Sequence, residues 1–181
     1  SVFNKERGPG EAEMKIVLVT TLGKEIIPSG IVSAVLTQTA EVACDSLSIK
    51  IIGGKSLDEI ERVYAYKNNK LIFNGYCDCQ RTTADERGFE TYIYARSSAC
   101  LLVDNDAFAY TYNRPSAQSL FDAYAKPFGF SYKLDDICTF KKYEVSSGSS
   151  LYGAINLLVS TITGNSIRIN ADDEIFMLKP S

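Results

Sequence analysis

Short strand-like runs fill residues 14–97, and this pattern most constrains the fold. KIVLVTT and IVSAVLTQ are compact apolar runs, whereas SLSIKII, RVYAYK and FETYIYAR alternate apolar with polar or tyrosine side chains. The run SLSIKII (46–52) alternates leucine and isoleucine with polar residues, which is the period of a strand with one buried face. The runs VYAYK and LIFNGYCDC flank Asn68 and Asn69, whose turn chemistry predicts a hairpin over residues 62–80. Six such runs without helical spacing between them favour a small antiparallel β-barrel, with a sandwich as the alternative.

Helical spacing first appears beyond residue 97. The run PSAQSLFDAYAKPFG predicts a first helix, capped by Asn113 or Ser116, and SSLYGAINLLVSTITG predicts a second after a serine cap. SIRIN and EIFMLK, on either side of an acidic turn at 171–173, predict a final hairpin. The chain is therefore predicted to be α+β: an antiparallel β-barrel followed by a compact α/β module, with two helices, short strands and a terminal hairpin, over residues 98–181.

The first thirteen residues, SVFNKERGPGEAE, are predicted to form a flexible leader. A Gly-Pro-Gly triplet at 8–10 interrupts any regular element, and the segment lacks the apolar core of a signal peptide. No apolar run approaches the ~18–20 residues that a membrane-spanning helix needs. We therefore expect a leader (1–13), a barrel (14–97) and a connecting segment with the α/β module (98–181), without membrane insertion.

The composition argues against two classes of function. The chain carries a net charge of −3 and has a pI near 5.1, whereas chains that bind nucleic acid by neutralising phosphates are normally basic. It contains no histidine, the commonest general base and the commonest neutral metal ligand. Its five cysteines, an odd number, favour synthesis in a reducing compartment over a fully paired disulfide framework. We expect neither nucleic-acid binding nor enzyme activity.

Cys77 and Cys79 are candidates for a metal or redox pair. One residue separates them, whereas paired zinc ligands are usually separated by two or more, and the sequence has no second pair of cysteine or histidine residues. Positions i and i+2 of a strand point the same way. We therefore predict two buried or half-buried thiols on one face of the barrel.

Four further motifs are predicted to be turns. GGKS at 53–56 ends like a phosphate-binding loop, but Ile49 stands where that loop needs a glycine. DND at 104–106 begins like a calcium loop, but Phe108 occupies the next ligand position. The other two are the pairs Asp135-Asp136 and Asp172-Asp173. We expect no catalytic residue, no cofactor and no metal site.

Six of the eleven tyrosines come as alternating pairs on or near predicted strands. An amphipathic ring suits a surface that another protein chain covers. The alternative is a partly exposed barrel wall, since tyrosine is common in strands. The predicted interface residues are Tyr64, Tyr66, Tyr92, Tyr94, Tyr110 and Tyr112.

Three stretches resemble the N-terminal part of phage tail hub proteins, the baseplate hub or late control protein D-like family. SLSIKII is similar to a strand of the family's first barrel, and VYAYKNNKLIFNGYCDC is similar to its hairpin with an apolar-Phe-x-Gly run. YARSSACLLVDNDAFAYTYNRPSAQSLFDAYAKPFGF is similar to a segment with a tyrosine-rich strand and a helix that starts at Pro-Ser. The resemblance covers residues 30–181.

The resemblance implies a structural component of a phage or prophage tail. Three copies are expected to form a ring that joins the tail tube to the central spike, and type VI secretion spike proteins use a related barrel. The implied partners are tube and spike proteins and copies of the chain itself, in the virion tail and, during assembly, in the bacterial cytoplasm. Such hubs continue into a second barrel, so the chain is expected to be part of a hub or a shortened relative. The resemblance assigns no functional residue.

Two other functions stay open at this point. A surface-carbohydrate-binding β module would present solvent-facing aromatic rings in a groove. A tail-associated cell-wall hydrolase would need two convergent carboxylates, or a nucleophile and a base other than histidine. The leading prediction is a structural tail component without catalysis.

Overall fold

The computed structural model describes residues 2–4, 14–38, 43–86, 88–134, 137–139 and 141–177. The chain divides into two compact units, Ser1–Ser98 and Ala99–Ser181. The turn predicted at Asp135-Asp136 lies outside the described residues, as does most of the predicted leader.

The first unit is a single eight-stranded sheet, in which neighbours pair in the order β1-β4-β5-β8-β7-β6-β2-β3. All of these pairs are antiparallel. The strands are β1 (Val2–Asn4), β2 (Met14–Thr20), β3 (Glu25–Ile26), β4 (Ile31–Thr37), β5 (Ser46–Gly53), β6 (Ile60–Lys67), β7 (Lys70–Asp85) and β8 (Gly88–Ser97).

The predicted hairpin is confirmed as the pair β6 and β7. Asn68 and Asn69 join the strands with φ angles of 51° and 60°, a backbone conformation that asparagine tolerates better than most residues. The turn pairs Lys67 with Lys70 and so fixes the register of both strands.

Alternation along the strands places one set of side chains in a common core. On β6, Val63 and Ala65 are fully buried, and on β8, Ile93 and Ala95 are fully buried. Their sequence neighbours point to the opposite face of the sheet, because side chains alternate along a strand. The core also contains Ile16, Leu18, Ala34, Leu36, Leu47, Ile49, Ile51, Ile60 and Phe73.

The predicted barrel is formed only in part, because the sheet curls into a half-barrel and stays open. Its edge strands, β1 and β3, have three and two residues and do not pair with each other. Strands this short cannot supply the continuous ladder that closure needs. Residues 2–4, which were predicted to be part of a flexible leader, instead pair with β4, whose edge offers free backbone hydrogen-bonding groups.

The second unit mixes helices with two small sheets. One sheet has the order β10-β13-β12, with β10 and β13 parallel, and the other pairs β11 with β9 antiparallel. The elements are α1 (Cys100–Val103), β9 (Tyr110–Asn113), α2 (Ala117–Tyr124), a 3₁₀ turn (Lys126–Phe128), β10 (Ser131–Lys133), β11 (Lys142–Val145), α3 (Leu151–Thr163), β12 (Ile167–Ile169) and β13 (Glu174–Met177).

Both predicted helices are present, with serine caps. The Ser116 side chain accepts a hydrogen bond from the backbone N–H of Ser119 at 3.1 Å, and Ser150 does the same for Gly153 at 3.0 Å. The terminal hairpin is also confirmed, as β12 and β13. The short helix α1 was not predicted, since a single turn leaves no periodic signal in the sequence.

Tyr124 belongs to the core of the second unit, where it is 6% exposed. Its hydroxyl lies 2.9 Å from the hydroxyl of Tyr112, which donates to it, and the two rings meet edge to face at 6.4 Å. Burial, followed by this hydrogen bond, raises the pKa of Tyr124 above its ordinary value of 10.

Substitution of Gly75 tests the close packing of β7 and β8. A Cβ atom at this position would overlap the carbonyl oxygen of Arg96 and lie 2.7 Å from Cζ of Phe73. We expect Gly75→Ala to lower the free energy of unfolding by about 1–3 kcal/mol, measured by urea titration with circular dichroism. Gly54→Ala is the control, because nothing lies within 4 Å of its Cβ position. Equal stability of the two variants would contradict this packing.

Alkaline titration tests the environment of Tyr124. A phenol whose pKa is higher in the folded state stabilises the fold below pH 10, and this contribution is lost as the pH rises further. Tyr124→Phe should therefore flatten the decline of the unfolding free energy above pH 10. Tyr110→Phe, which removes the hydroxyl of a 60% exposed tyrosine on β9, serves as the control. The account of Tyr124 fails if the two variants show the same pH dependence as the parent protein.

Candidate protein-binding face

The structure brings four of the six predicted tyrosines onto one face of the sheet. Tyr64 and Tyr66 alternate with core residues on β6, and Tyr92 and Tyr94 do so on β8. They therefore point away from the core, on either side of β7. The tyrosine face is the outward side of β2, β6, β7, β8 and β5 around Tyr64, Tyr66, Tyr76, Tyr92 and Tyr94.

Tyr76 lies at the centre of the tyrosine face, and the sequence reasoning missed it. It is paired across one edge of β7 with Arg62 and across the other edge with Arg96. The signal was available in the hairpin register, because counting back from the turn at Asn68 and Asn69 brings Arg62 close to Tyr76. Every tyrosine of the first unit is on this face.

Arg62 organises the centre of the tyrosine face. Its guanidinium carbon lies 4.1 Å from the ring centroid of Tyr76 and 5.4 Å from that of Tyr64, which is cation–π geometry. One terminal nitrogen donates to the Tyr76 hydroxyl at 2.9 Å, and the other donates to Oδ1 of Asn74 at 2.5 Å. The Nε–H is buried and meets no acceptor. Arg62 therefore holds two rings in place without using all of its donors.

A β-bulge beside Tyr76 separates the two cysteines. Cys77 pairs with Ala95 and Cys79 pairs with Tyr94, so the extra residue Asp78 shifts the alternation by one. The prediction that both thiols share a face is wrong: Cys77 packs against the core, where burial raises the pKa of its thiol, and Cys79 is on the tyrosine face. Asp78 forms a salt bridge with Arg96.

The other two predicted tyrosines are in the second unit, on β9. Tyr112 is half-buried, whereas Tyr110 is 60% exposed and Phe108, two residues earlier, is 87% exposed. These rings line a groove with a volume of about 460 Å³, together with Phe128 and Tyr124. Asn105 and Asp106 supply polar groups at the same groove.

The predicted turn motifs occupy the ends of regular elements. Asp104 caps the end of α1, and the Asn105 side chain donates to the carbonyl of Leu101 at 2.7 Å. Residues 54–56 follow β5, which ends at Gly53, and Asp173 is in the β12–β13 turn with a φ of 59°. Within the described ranges, no group of three or more acidic, cysteine or histidine side chains could hold a metal ion. None of the helices in that part of the chain is long and apolar enough to cross a membrane.

Solved structures of prophage tail proteins have a similar fold. The 43 kDa tail protein of prophage MuSo2 from Shewanella oneidensis has a TM-score of 0.77 and 16% identity, over 93% of this chain and 56% of that one. A tail protein from Neisseria meningitidis MC58 has a TM-score of 0.67 and 15% identity, over 91% and 50%. Prophage tail protein gp18 from Listeria monocytogenes EGD-e has a TM-score of 0.62 and 13% identity, over 90% and 50%.

These similarities cover both units of the chain. No protein-family model and no curated protein sequence matches it. The chain spans about half the length of the solved structures that it matches. At 13–16% identity the likeness establishes the architecture, and the chain therefore has the fold of prophage tail proteins.

Proposed function

We propose that the chain is a structural component of a phage or prophage tail, and part of the hub that joins the tail tube to the central spike. It acts without catalysis, through contacts with tube and spike proteins and with copies of itself in a trimeric ring. It assembles in the bacterial cytoplasm and remains in the virion tail.

The observation that carries this proposal is the similarity in fold over 93% of the chain to a prophage tail protein. The tyrosine face supports it independently. Its five tyrosines lie on a sheet with a continuous core behind it, and contacts with Arg62 or Ser48 hold Tyr64, Tyr76 and Tyr92. Rings with one apolar and one polar end are enriched where protein chains meet. Rings held in place before binding lose little conformational entropy when a partner covers them.

The composition of tail particles tests the proposed function. Particles released by the bacterium that encodes the chain would be purified and their proteins quantified by mass spectrometry. We expect the chain to sediment with the tube and spike proteins, in an amount that matches one trimer for each spike. Deletion of its gene should leave tubes without a spike. Particles that contain tube and spike but lack this chain would contradict the proposal.

A carbohydrate-binding module is a second candidate, favoured by the groove of the second unit. Phe108 and Tyr110 expose large ring surfaces there, beside the carboxylate of Asp106, which suits a ligand with apolar faces and hydroxyl groups. This candidate predicts that the purified chain binds cell-surface polysaccharide of its host, measured by calorimetry, and that Phe108→Ala abolishes the binding. Ile162→Ala, an exposed apolar residue on α3, is the control. No feature of the described residues favours the cell-wall hydrolase.

A further inference from the structure

The tyrosine face carries more positive than negative charge. Each of its five strands supplies one cation, whereas its carboxylates are Asp78 and Asp85 on β7 and Glu90 on β8. The cations are Lys15, Lys50, Arg62, Arg81 and Arg96. Asp85 is four residues beyond Arg81 on the same strand, so it faces the same side of the sheet at the turn into β8. The chain as a whole has a net charge of −3, so this face differs in sign from the average surface.

Two of the three carboxylates are paired with cations of the face. Glu90 lies 2.9 Å from the ammonium of Lys50, and Asp78 contacts the guanidinium of Arg96. Among the described residues, no carboxylate forms a salt bridge with the other three cations. The unpaired cations are Lys15, Arg62 and Arg81.

The three unpaired cations differ in burial. Lys15 and Arg81 are exposed, on β2 and β7, whereas Arg62 is half-buried between the rings of Tyr64 and Tyr76. An exposed cation gains little from isolated surface pairing, but it gains more when a partner excludes water around it. Arg62 adds a fixed positive charge at the centre of the face. Its Nε–H group has no hydrogen-bond acceptor within the chain.

We propose that the tyrosine face binds an acidic segment of another tail protein. This inference rests on the proposed function and names the chemistry of the partner. Carboxylates of the partner pair with Lys15 and Arg81, on either side of Arg62, and its apolar groups cover the tyrosine rings. The charge excess of the face selects a partner of opposite sign and repels cationic surfaces.

The ring positions favour a protein over a nucleic acid. The rings of Tyr64 and Tyr76 are engaged by the Arg62 guanidinium, and the Tyr92 hydroxyl donates to the Ser48 hydroxyl at 3.3 Å. Single-stranded nucleic acid is bound by free aromatic faces on which bases stack, along a groove of many cations. The tyrosine face has rings along a sheet and only three unpaired cations, which suits contact with a protein surface better than contact with a nucleic acid.

Zero-length crosslinking in tail particles tests this inference. A carbodiimide joins a lysine side chain to a carboxylate in direct contact with it. Crosslinks of Lys15 therefore identify carboxylates that contact β2. Arg81→Lys places a second reporter on β7. We expect both lysines to couple to aspartate or glutamate of another tail protein, identified by mass spectrometry, whereas the exposed loop lysines Lys24 and Lys55 should not. Coupling at Lys24 and Lys55 without coupling at the two reporters would overturn the inference.

Charge reversal gives a second readout. Lys15→Glu with Arg81→Glu should reduce the yield of complete tails about ten-fold, while Lys24→Glu with Lys55→Glu, the same change of charge away from the face, should leave it unchanged. Arg62→Lys keeps the charge but loses the planar fork, and it should reduce the yield with the fold intact by circular dichroism. Equal loss in the loop variant overturns the inference.

The outcomes separate the two proposals. Absence of the chain from tail particles refutes the proposed function. Presence of the chain without reporter crosslinks refutes only the acidic partner. Binding of a 20-nucleotide oligo(dT) by the purified protein, lost on reversal of Lys15 and Arg81, would reassign the face to nucleic acid.

Discussion

The register of β6, β7 and β8 is the constraint on which the rest of the first unit depends. Backbone hydrogen bonds along both edges of β7 decide which residues of the neighbouring strands enter the core. A slip of one residue would bury Tyr64 and Tyr66 and expose Val63 and Ala65. The same pairing that buries the core therefore also gathers the tyrosines and arginines on the opposite side.

The bulge at Asp78 adjusts this arrangement locally. It moves Cys79 from the core side to the tyrosine face and lets Asp78 reach Arg96. As a result, the central pair of Tyr76 and Arg62 lies beside the ion pair of Asp78 and Arg96, and the unpaired cations Lys15 and Arg81 lie on either side of Arg62. The strand β7 thus determines both the packing of the core and the positions of the charged side chains on the tyrosine face. A substitution at Gly75 is therefore expected to affect the core and the face together.

The sequence predicts those features that depend on residues close together in the chain. It does not predict those that depend on pairing between distant strands. Asn68 and Asn69 predict the hairpin, and Ser116 predicts a helix start, because turn and cap preferences act over a few residues. Alternation shows that a strand has a buried side, but it does not show whether the edges of the sheet meet, so it predicts a barrel without showing that the barrel stays open. The bulge at Asp78 leaves no periodic mark, and Arg62 becomes part of the site only through pairing across strands.

The fold of prophage tail proteins and the charged tyrosine face lead to one account, in which this side of the sheet is covered by protein in an assembled tail. A cryo-electron microscopy reconstruction of the tail tip measures this directly. The account predicts density of another chain over Tyr64, Tyr76 and Tyr94, with its carboxylates beside Lys15 and Arg81. A reconstruction in which the chain is present and this face is open to solvent would contradict it.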